Sequence, residues 1–145
     1  MCGIFGYMGS KLAAPILIEG LRRLEYRGYD SSGIAIKNGD FRIYKKTGKV
    51  AELQSILPRR IPGEVGIAHT RWATHGGVTD ENAHPHLSAN GKVVIVHNGI
   101  IENSRSLRAL LKKKGVVLNS DTDSEVISHI LEYELVRDSS PTDAL

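Results

Sequence analysis

A single cysteine, Cys2, in a chain of 145 residues excludes an internal disulfide and agrees with a reducing, cytoplasmic setting. No apolar run approaches the length needed to cross a bilayer, so no membrane partner is expected. The start, Met1-Cys2-Gly3-Ile4-Phe5-Gly6, lacks the basic region and long apolar stretch of a secretory signal. It also lacks the glycine directly after methionine that myristoylation requires. Charge of one sign is scarce. The formal net charge is only +3, and the basic residues are scattered or in short runs such as Lys112-Lys113-Lys114. Without a basic stripe interleaved with aromatics, nucleic acid is not an expected partner. Internal repeats and low-complexity segments are missing too. What remains is 41% hydrophobic and 24% charged, an ordinary globular composition. The length suits one domain that can enclose a real core.

Residues 4–8 read as a short strand that begins almost at the terminus. Residues 12–24 read as a helix: Leu17, Ile18, Leu21 and Leu24 recur at helical spacing, and Pro15 is tolerated near the first turn. Residues 34–36 and 41–44 read as two strands around Asn38-Gly39, a hairpin dipeptide. A short helix over 50–57 and a buried strand over 65–69 follow. Residues 70–90 are rich in Thr, His, Asn, Gly and Pro, and a loop that long inside a compact domain is functional or disordered. Residues 93–97 read as a strand ending at Asn98-Gly99. Asn103 is positioned to cap a helix carrying Leu107, Leu110 and Leu111, which Gly115 ends. Residues 116–118 read as a further strand. Thr122 and Glu125 have capping-box spacing ahead of a last helix that runs to about residue 136. Strands and helices do not alternate strictly, which points to an α+β, layered architecture rather than a doubly wound parallel sheet.

Several residues offer chemistry, each beside a structural alternative. Trimming of Met1 would leave Cys2 with a free α-amine and a thiol on one residue. Such an amine titrates near ~8 and a thiol near ~8.5, so the amine can serve as base for its own side chain. From position alone, a small buried residue at a strand start is the simpler reading. The segment His69-Thr70-Arg71-Trp72-Ala73-Thr74-His75-Gly76 opens the long loop. Arg71 offers a planar fork suited to a carboxylate, and Trp72 a cover for a small ligand. A surface salt bridge and a core tryptophan explain them equally well. Asn98-Gly99 reads as a common turn, or as a side-chain amide and a backbone N–H converging like an oxyanion hole. Asp121 and Asp123 read as helix-start acids, or as a carboxylate for a substrate ammonium group. His84-Pro85-His86, with His69, His75 and His97 elsewhere, invites a metal. The paired spacings of zinc sites are missing, so no metal is expected. His129 reads as a partly solvated helix residue.

Taken together, these segments resemble the class II, or N-terminal-nucleophile, glutamine amidotransferases. Cys2-Gly3-Ile4-Phe5-Gly6 matches their opening. The block Leu24-Glu25-Tyr26-Arg27-Gly28-Tyr29-Asp30-Ser31-Ser32-Gly33 is similar to the version found in the glucosamine-6-phosphate synthase branch. The amidophosphoribosyltransferase branch has His and Gln where this chain has Tyr26 and Tyr29. Residues 68–76, 82–86, 97–103 and 120–125 also follow the synthase pattern, in the family's order. The resemblance implies that Cys2 attacks the side-chain amide of L-glutamine, forming a thioester, while Asn98 and Gly99 stabilise the oxyanion. It implies that Arg71 binds the α-carboxylate, that Thr74 and His75 shape that end of the pocket, and that Asp123 receives the α-ammonium. Trp72 then belongs to a loop that closes over glutamine, and Arg27 and His84 support the site. No cofactor is implied.

The implied fold is an αββα four-layer sandwich, truncated on its C-terminal side. In the family the glutaminase domain continues with further strands, and the full synthase adds two sugar-phosphate isomerase domains. The expectation is therefore a partial glutaminase domain over residues 2–145. The fructose 6-phosphate site and homo-oligomer contacts belong to the full-length enzyme. An incomplete sandwich is expected to expose a sheet face or edge. Two other readings stand beside this one. The first is the equivalent domain of an amidophosphoribosyltransferase, disfavoured by Tyr26 and Tyr29. The second is an inactive fragment that only binds glutamine.

Overall fold

A computed structural model describes residues 2–73 and 76–136. Side-chain alternation along the first strand sets the layers. β1 (Gly3–Met8) turns Phe5 and Tyr7 to one side and Ile4, Gly6 and Met8 to the other. β2 (Ser31–Asn38) and β3 (Asp40–Thr47) form the expected hairpin, with Gly39 at φ +70° in its turn. β4 (Val65–Arg71) lies between β1 and β2, giving the order β1-β4-β2-β3 with every pairing antiparallel. β4 runs two residues beyond the expected end, which puts Thr70 and Arg71 on the sheet.

The sheet is covered on both faces at its centre, because residues 31–36 of β2 are all buried. One face carries the apolar core. α1 (Ala13–Leu24) supplies Leu17 and Leu21, and α2 (Val50–Ser55) supplies Val50 and Leu53. They meet Ile34, Ile36 and Ala68 from the sheet, with Phe5 and Tyr7 packed at the side. The other face holds His69 and Gly33, which are register partners. There the chain from His84 presses so close that a Cβ on Gly33 would lie 2.2 Å from the His84 carbonyl oxygen. The far end of this second face is open: Ile4, Met8 and Val65 are 46%, 82% and 41% exposed.

Beyond His84, β5 (His86–Leu87) pairs antiparallel with β6 (Val94–Ile95). α4 (Glu125–Val136) packs on this ribbon, and α3 (Ser104–Lys113) packs on α4. The result is a layered, mixed α/β arrangement. No described helix is long and apolar enough to cross a membrane.

Several local expectations are corrected. The strand expected over 93–97 shrinks to two residues, because its described partner is equally short and the His97 N–H turns to His84 Nδ1 instead. Residues 116–118 form no strand: the Val116 N–H closes the end of α3 on the Leu111 carbonyl, and Val117 is exposed. Asn103 stands at the start of α3, but its side chain makes no capping bond. Thr122 does not cap α4; its Oγ1 pairs with Ser120 Oγ and His86 Nε2. Glu125 reaches backward instead, accepting the N–H groups of Asn119 at 2.7 Å and Ser120 at 2.9 Å. His129 is buried, with its Nδ1 accepting the Ala89 N–H.

Candidate active site

The start of β1 and the end of β4 bring the first residues of the chain beside Thr70 and Trp72. The Gly3 N–H donates to Thr70 Oγ1 at 3.0 Å, which fixes the residue just after Cys2. The Trp72 N–H then donates to Cys2 Sγ at 3.1 Å. The sulfur is thereby held against the strand exit, 70 residues away in sequence. On the opposite wall, Asn98 follows β6. Its Oδ1 lies 2.8 Å from His69 Nε2, and its Nδ2 donates to the Cys2 carbonyl at 3.4 Å. Gly99 comes next, where a Cβ would lie 2.8 Å from His97 Nε2.

These groups open on one cavity of about 400 Å³. Of the residues singled out from sequence, Cys2, Asn98, Gly99, Arg71, Trp72, Asp123, Arg27 and His84 all line it. Thr74 and His75 lie outside the described residues. Arg71 is 4% exposed and donates to the backbone carbonyls of Gly77 and Gly76. Its guanidinium therefore also organises the loop after β4. Asp123 is nearly buried and accepts the Ile101 N–H at 2.7 Å, tying the turn after Gly99 to the start of α4. Trp72 is half exposed, and its ring lies against Gly28 at the rim.

Three histidines pack in a row, and two of them, His69 and His84, line the cavity. The His69 and His84 rings stack with centroids 4.4 Å apart, and His86 meets His84 edge-on at 4.5 Å. Burial pushes His69 down to about 4 and His86 down to about 3, and holds His84 far below the ordinary histidine range. All three are therefore neutral near pH 7 and serve as hydrogen-bonding packing. His84 Nδ1 accepts the His97 N–H at 3.3 Å, and His97 Nδ1 lies 3.0 Å from Ser124 Oγ. Among the described residues, no cluster of His, Cys, Asp or Glu is arranged to hold a metal ion.

Sequence reasoning passed over several residues that shape this cavity. Asp30 accepts the Ala73 N–H, fixing the loop after Trp72, yet it reads in sequence as one acid in a turn-rich stretch. Thr70 and Ser124 act through partners 67 and 27 residues away, a relation no local pattern carries. His69 and His97 read in sequence only as candidate metal ligands, and their adjacency to the Arg71 and Asn98 segments was the available signal for a role here. Chemically, the cavity joins a thiol and an amide donor with one buried cation and one buried anion. That set suits a small zwitterion carrying an electrophilic carbonyl.

Known proteins resemble this chain in sequence and in fold. The chain is 50% identical over 144 residues to the glutamine–fructose-6-phosphate aminotransferase (isomerising) of Chlorobaculum tepidum, covering 97% of this chain and 24% of that protein. It is 55% identical over 137 residues to the enzyme of the same name from Pyrococcus horikoshii, covering 93% of this chain and 23% of the relative. The chain thus spans about a quarter of the length of these relatives. Among solved structures, the glutamine phosphoribosylpyrophosphate amidotransferase of B. subtilis superposes with a TM-score of 0.79 at 27% identity. That match covers 99% of this chain and 31% of the other. A structure described as the allosteric regulatory enzyme of purine biosynthesis gives 0.81 at the same identity and coverage. The sequence profile of the glutamine amidotransferase domain matches residues 59–135, more than half of the chain, and the chain belongs to that family.

Proposed function

We propose that this chain hydrolyses the side-chain amide of L-glutamine, with Cys2 as nucleophile, and that the ammonia serves glucosamine 6-phosphate synthesis from fructose 6-phosphate in the full-length enzyme. The observation that carries this reading is the convergence on Cys2: the Trp72 N–H lies on its sulfur and the Asn98 amide is bonded to its carbonyl. Removal of Met1 frees the Cys2 α-amine, which takes the thiol proton. Sulfur then bonds to the amide carbon, and the carbonyl oxygen becomes an oxyanion held by Asn98 Nδ2 and the Gly99 N–H. The amine hands its proton to the departing nitrogen, the C–N bond breaks, and ammonia leaves a thioester. Water cleaves the thioester and releases glutamate. Losing one oxyanion donor costs on the order of 3 kcal/mol of barrier, roughly a hundredfold or more in rate.

Free glutamine carries one positive and one negative charge on its α-carbon. Arg71 pairs with the carboxylate and Asp123 with the ammonium, while Thr74 and His75 shape the carboxylate end. Trp72 closes over the bound amino acid, and Arg27 and His84 support the walls. Desolvated charges reject ligands that leave one unpaired, so specificity follows from the same two residues. The sandwich has four layers, αββα, with α1 and α2 outside the first sheet and α3 and α4 outside the second. The sugar-phosphate isomerase domains and the homo-oligomer contacts belong to the longer enzyme. The identity of 50% to the synthase of C. tepidum, against 27% to the amidophosphoribosyltransferase structure, favours the synthase role over the purine one.

Intact mass reports whether Met1 is gone, and labelling by an electrophilic glutamine analogue marks the nucleophile. Cys2→Ala is expected to abolish glutamate release while glutamine still binds, measured by a coupled glutamate assay and by calorimetry. Unchanged turnover in Cys2→Ala, or full turnover with Met1 retained, would refute the mechanism.

A further inference from the structure

An asparagine amide has an oxygen and a nitrogen of nearly equal size at its two ends. Only its hydrogen-bond partners decide which end faces a given neighbour. At Asn98 that choice separates a working oxyanion donor from an anion-repelling carbonyl. Asn98 is an exposed residue on the cavity wall, so packing alone does not lock its side chain. Its Oδ1 is 2.8 Å from Nε2 of His69, a fully buried side chain on β4. We infer that His69 is a positioning residue, which carries its proton on Nε2 and so turns the NH₂ end of the Asn98 amide toward Cys2.

The surroundings of His69 fix that proton. Its backbone pairs with Ile4 of β1 and Gly33 of β2, and its ring lies flat against His84. The strand pairing thus fixes its backbone, and the His84 ring covers one face of the imidazole. Its Nδ1 is buried without a hydrogen-bond partner. A proton placed on Nδ1 would be a buried, unsatisfied donor, whereas a proton on Nε2 meets Asn98 Oδ1. Burial disfavours a second proton, since it holds the group at about 4. The opposite tautomer would accept from the Asn98 NH₂ instead. The amide would then rotate by half a turn and present its oxygen to the Cys2 carbonyl and to any oxyanion formed beside it. Both are acceptors, and both would repel it.

This inference rests on the proposed glutaminase reading, and its test separates the two. In the chain labelled with ¹⁵N-histidine, the His69 ring is expected to show the Nε2–H tautomer, assigned by its loss in His69→Gln. His69→Leu removes the donor at similar size. It is expected to lower kcat for glutamine hydrolysis about a hundredfold, the cost of a lost oxyanion donor, with KM changed less than about twofold. Alkylation of Cys2 by iodoacetamide should keep its rate in the same variant. His69→Gln can offer an amide N–H in place of Nε2–H and should restore part of kcat. An Nδ1–H tautomer overturns the inference, as does wild-type kcat in a folded His69→Leu. If that variant does not fold, the tautomer in the unsubstituted chain decides. Hydrolysis that survives Cys2→Ala would instead sink the underlying mechanism.

Discussion

Asp123 has two tasks at the scale of the single residue. Its Oδ2 accepts the Ile101 N–H, which holds the turn after Gly99, and the proposed glutaminase reading adds a second task, pairing its charge with the glutamine ammonium. Asp123→Asn separates the two, because an amide oxygen can still accept from Ile101 while the charge is gone. A hydrogen bond to a charged group contributes about 1.5–3 kcal/mol, so glutamine affinity should fall roughly tenfold to a hundredfold. An analogue lacking the α-amino group should be weakened far less. Competition assays with both ligands measure the difference, and equal weakening of the two would count against the ammonium role. Arg71 is doubly engaged in the same way, since it also bonds the carbonyls at 76 and 77. Its removal would disturb the loop as well as the ligand, which makes Asp123 the cleaner probe.

At the scale of elements, the site depends on how closely one chain segment can lie on the first sheet. β2 offers glycine at 33, and the backbone at His84 fills the space a side chain would take. The same segment carries the rings of His84, which stacks on His69, and His86, which meets His84 edge-on. Gly33→Ala would put a Cβ 2.2 Å from the His84 carbonyl and 2.9 Å from that of Tyr44, both backbone atoms that cannot swing away. Overpacking of a tight interior costs typically about 1–3 kcal/mol, and backbone opposition places this case at the upper end. The expected outcome is a lowered urea midpoint together with weakened glutamine hydrolysis, because the histidine wall moves. A Gly33→Ala chain as stable as the original would show that the two layers are not in this contact.

At the scale of the whole molecule, buried neutral histidines link folding to acidity. Their unfolded counterparts titrate near 6.5, while burial holds His69 at about 4 and His86 at about 3. Below pH 6.5 the unfolded chain therefore binds protons that the folded chain refuses. Stability should fall as pH drops from 6.5 toward 4 and be insensitive to these groups above 6.5. Each contributes a slope of up to about 1.4 kcal/mol per pH unit. Glu125 adds a second phase. Burial raises its carboxyl, but hydrogen bonds from Asn119 and Ser120, with the His129 ring 3.7 Å away, outweigh this and hold it at about 2, below its ordinary 4.5. Its contribution is present above pH 4.5 and fades as pH falls toward 2. Urea unfolding at pH 7.5, 6 and 5 tests the first phase, and identical midpoints at 7.5 and 5 would contradict it. Replacing His86 with Asn should flatten the slope between 6 and 5.

Much of this was legible in the residues alone. The periodicity of Leu17, Ile18 and Leu21 determined α1, Asn38-Gly39 determined the hairpin, and spaced motifs drew attention to Cys2, Arg71, Asn98 and Asp123. Such signals are local, and they survive in sequence because helix and turn chemistry acts over a few residues. Expectations failed where the outcome depended on distant partners. A strand over 93–97 needed a neighbour longer than two residues, and capping at Thr122 lost to the pull of His86 and Ser120 on its hydroxyl. Tertiary structure alone decided which nitrogen faces Asn98, that three buried histidines pack together unprotonated, and that Trp72 lends its N–H to Cys2. Hydrogen-bond direction and burial are properties of neighbours in space, and the chain's order fixes those neighbours only after it has folded.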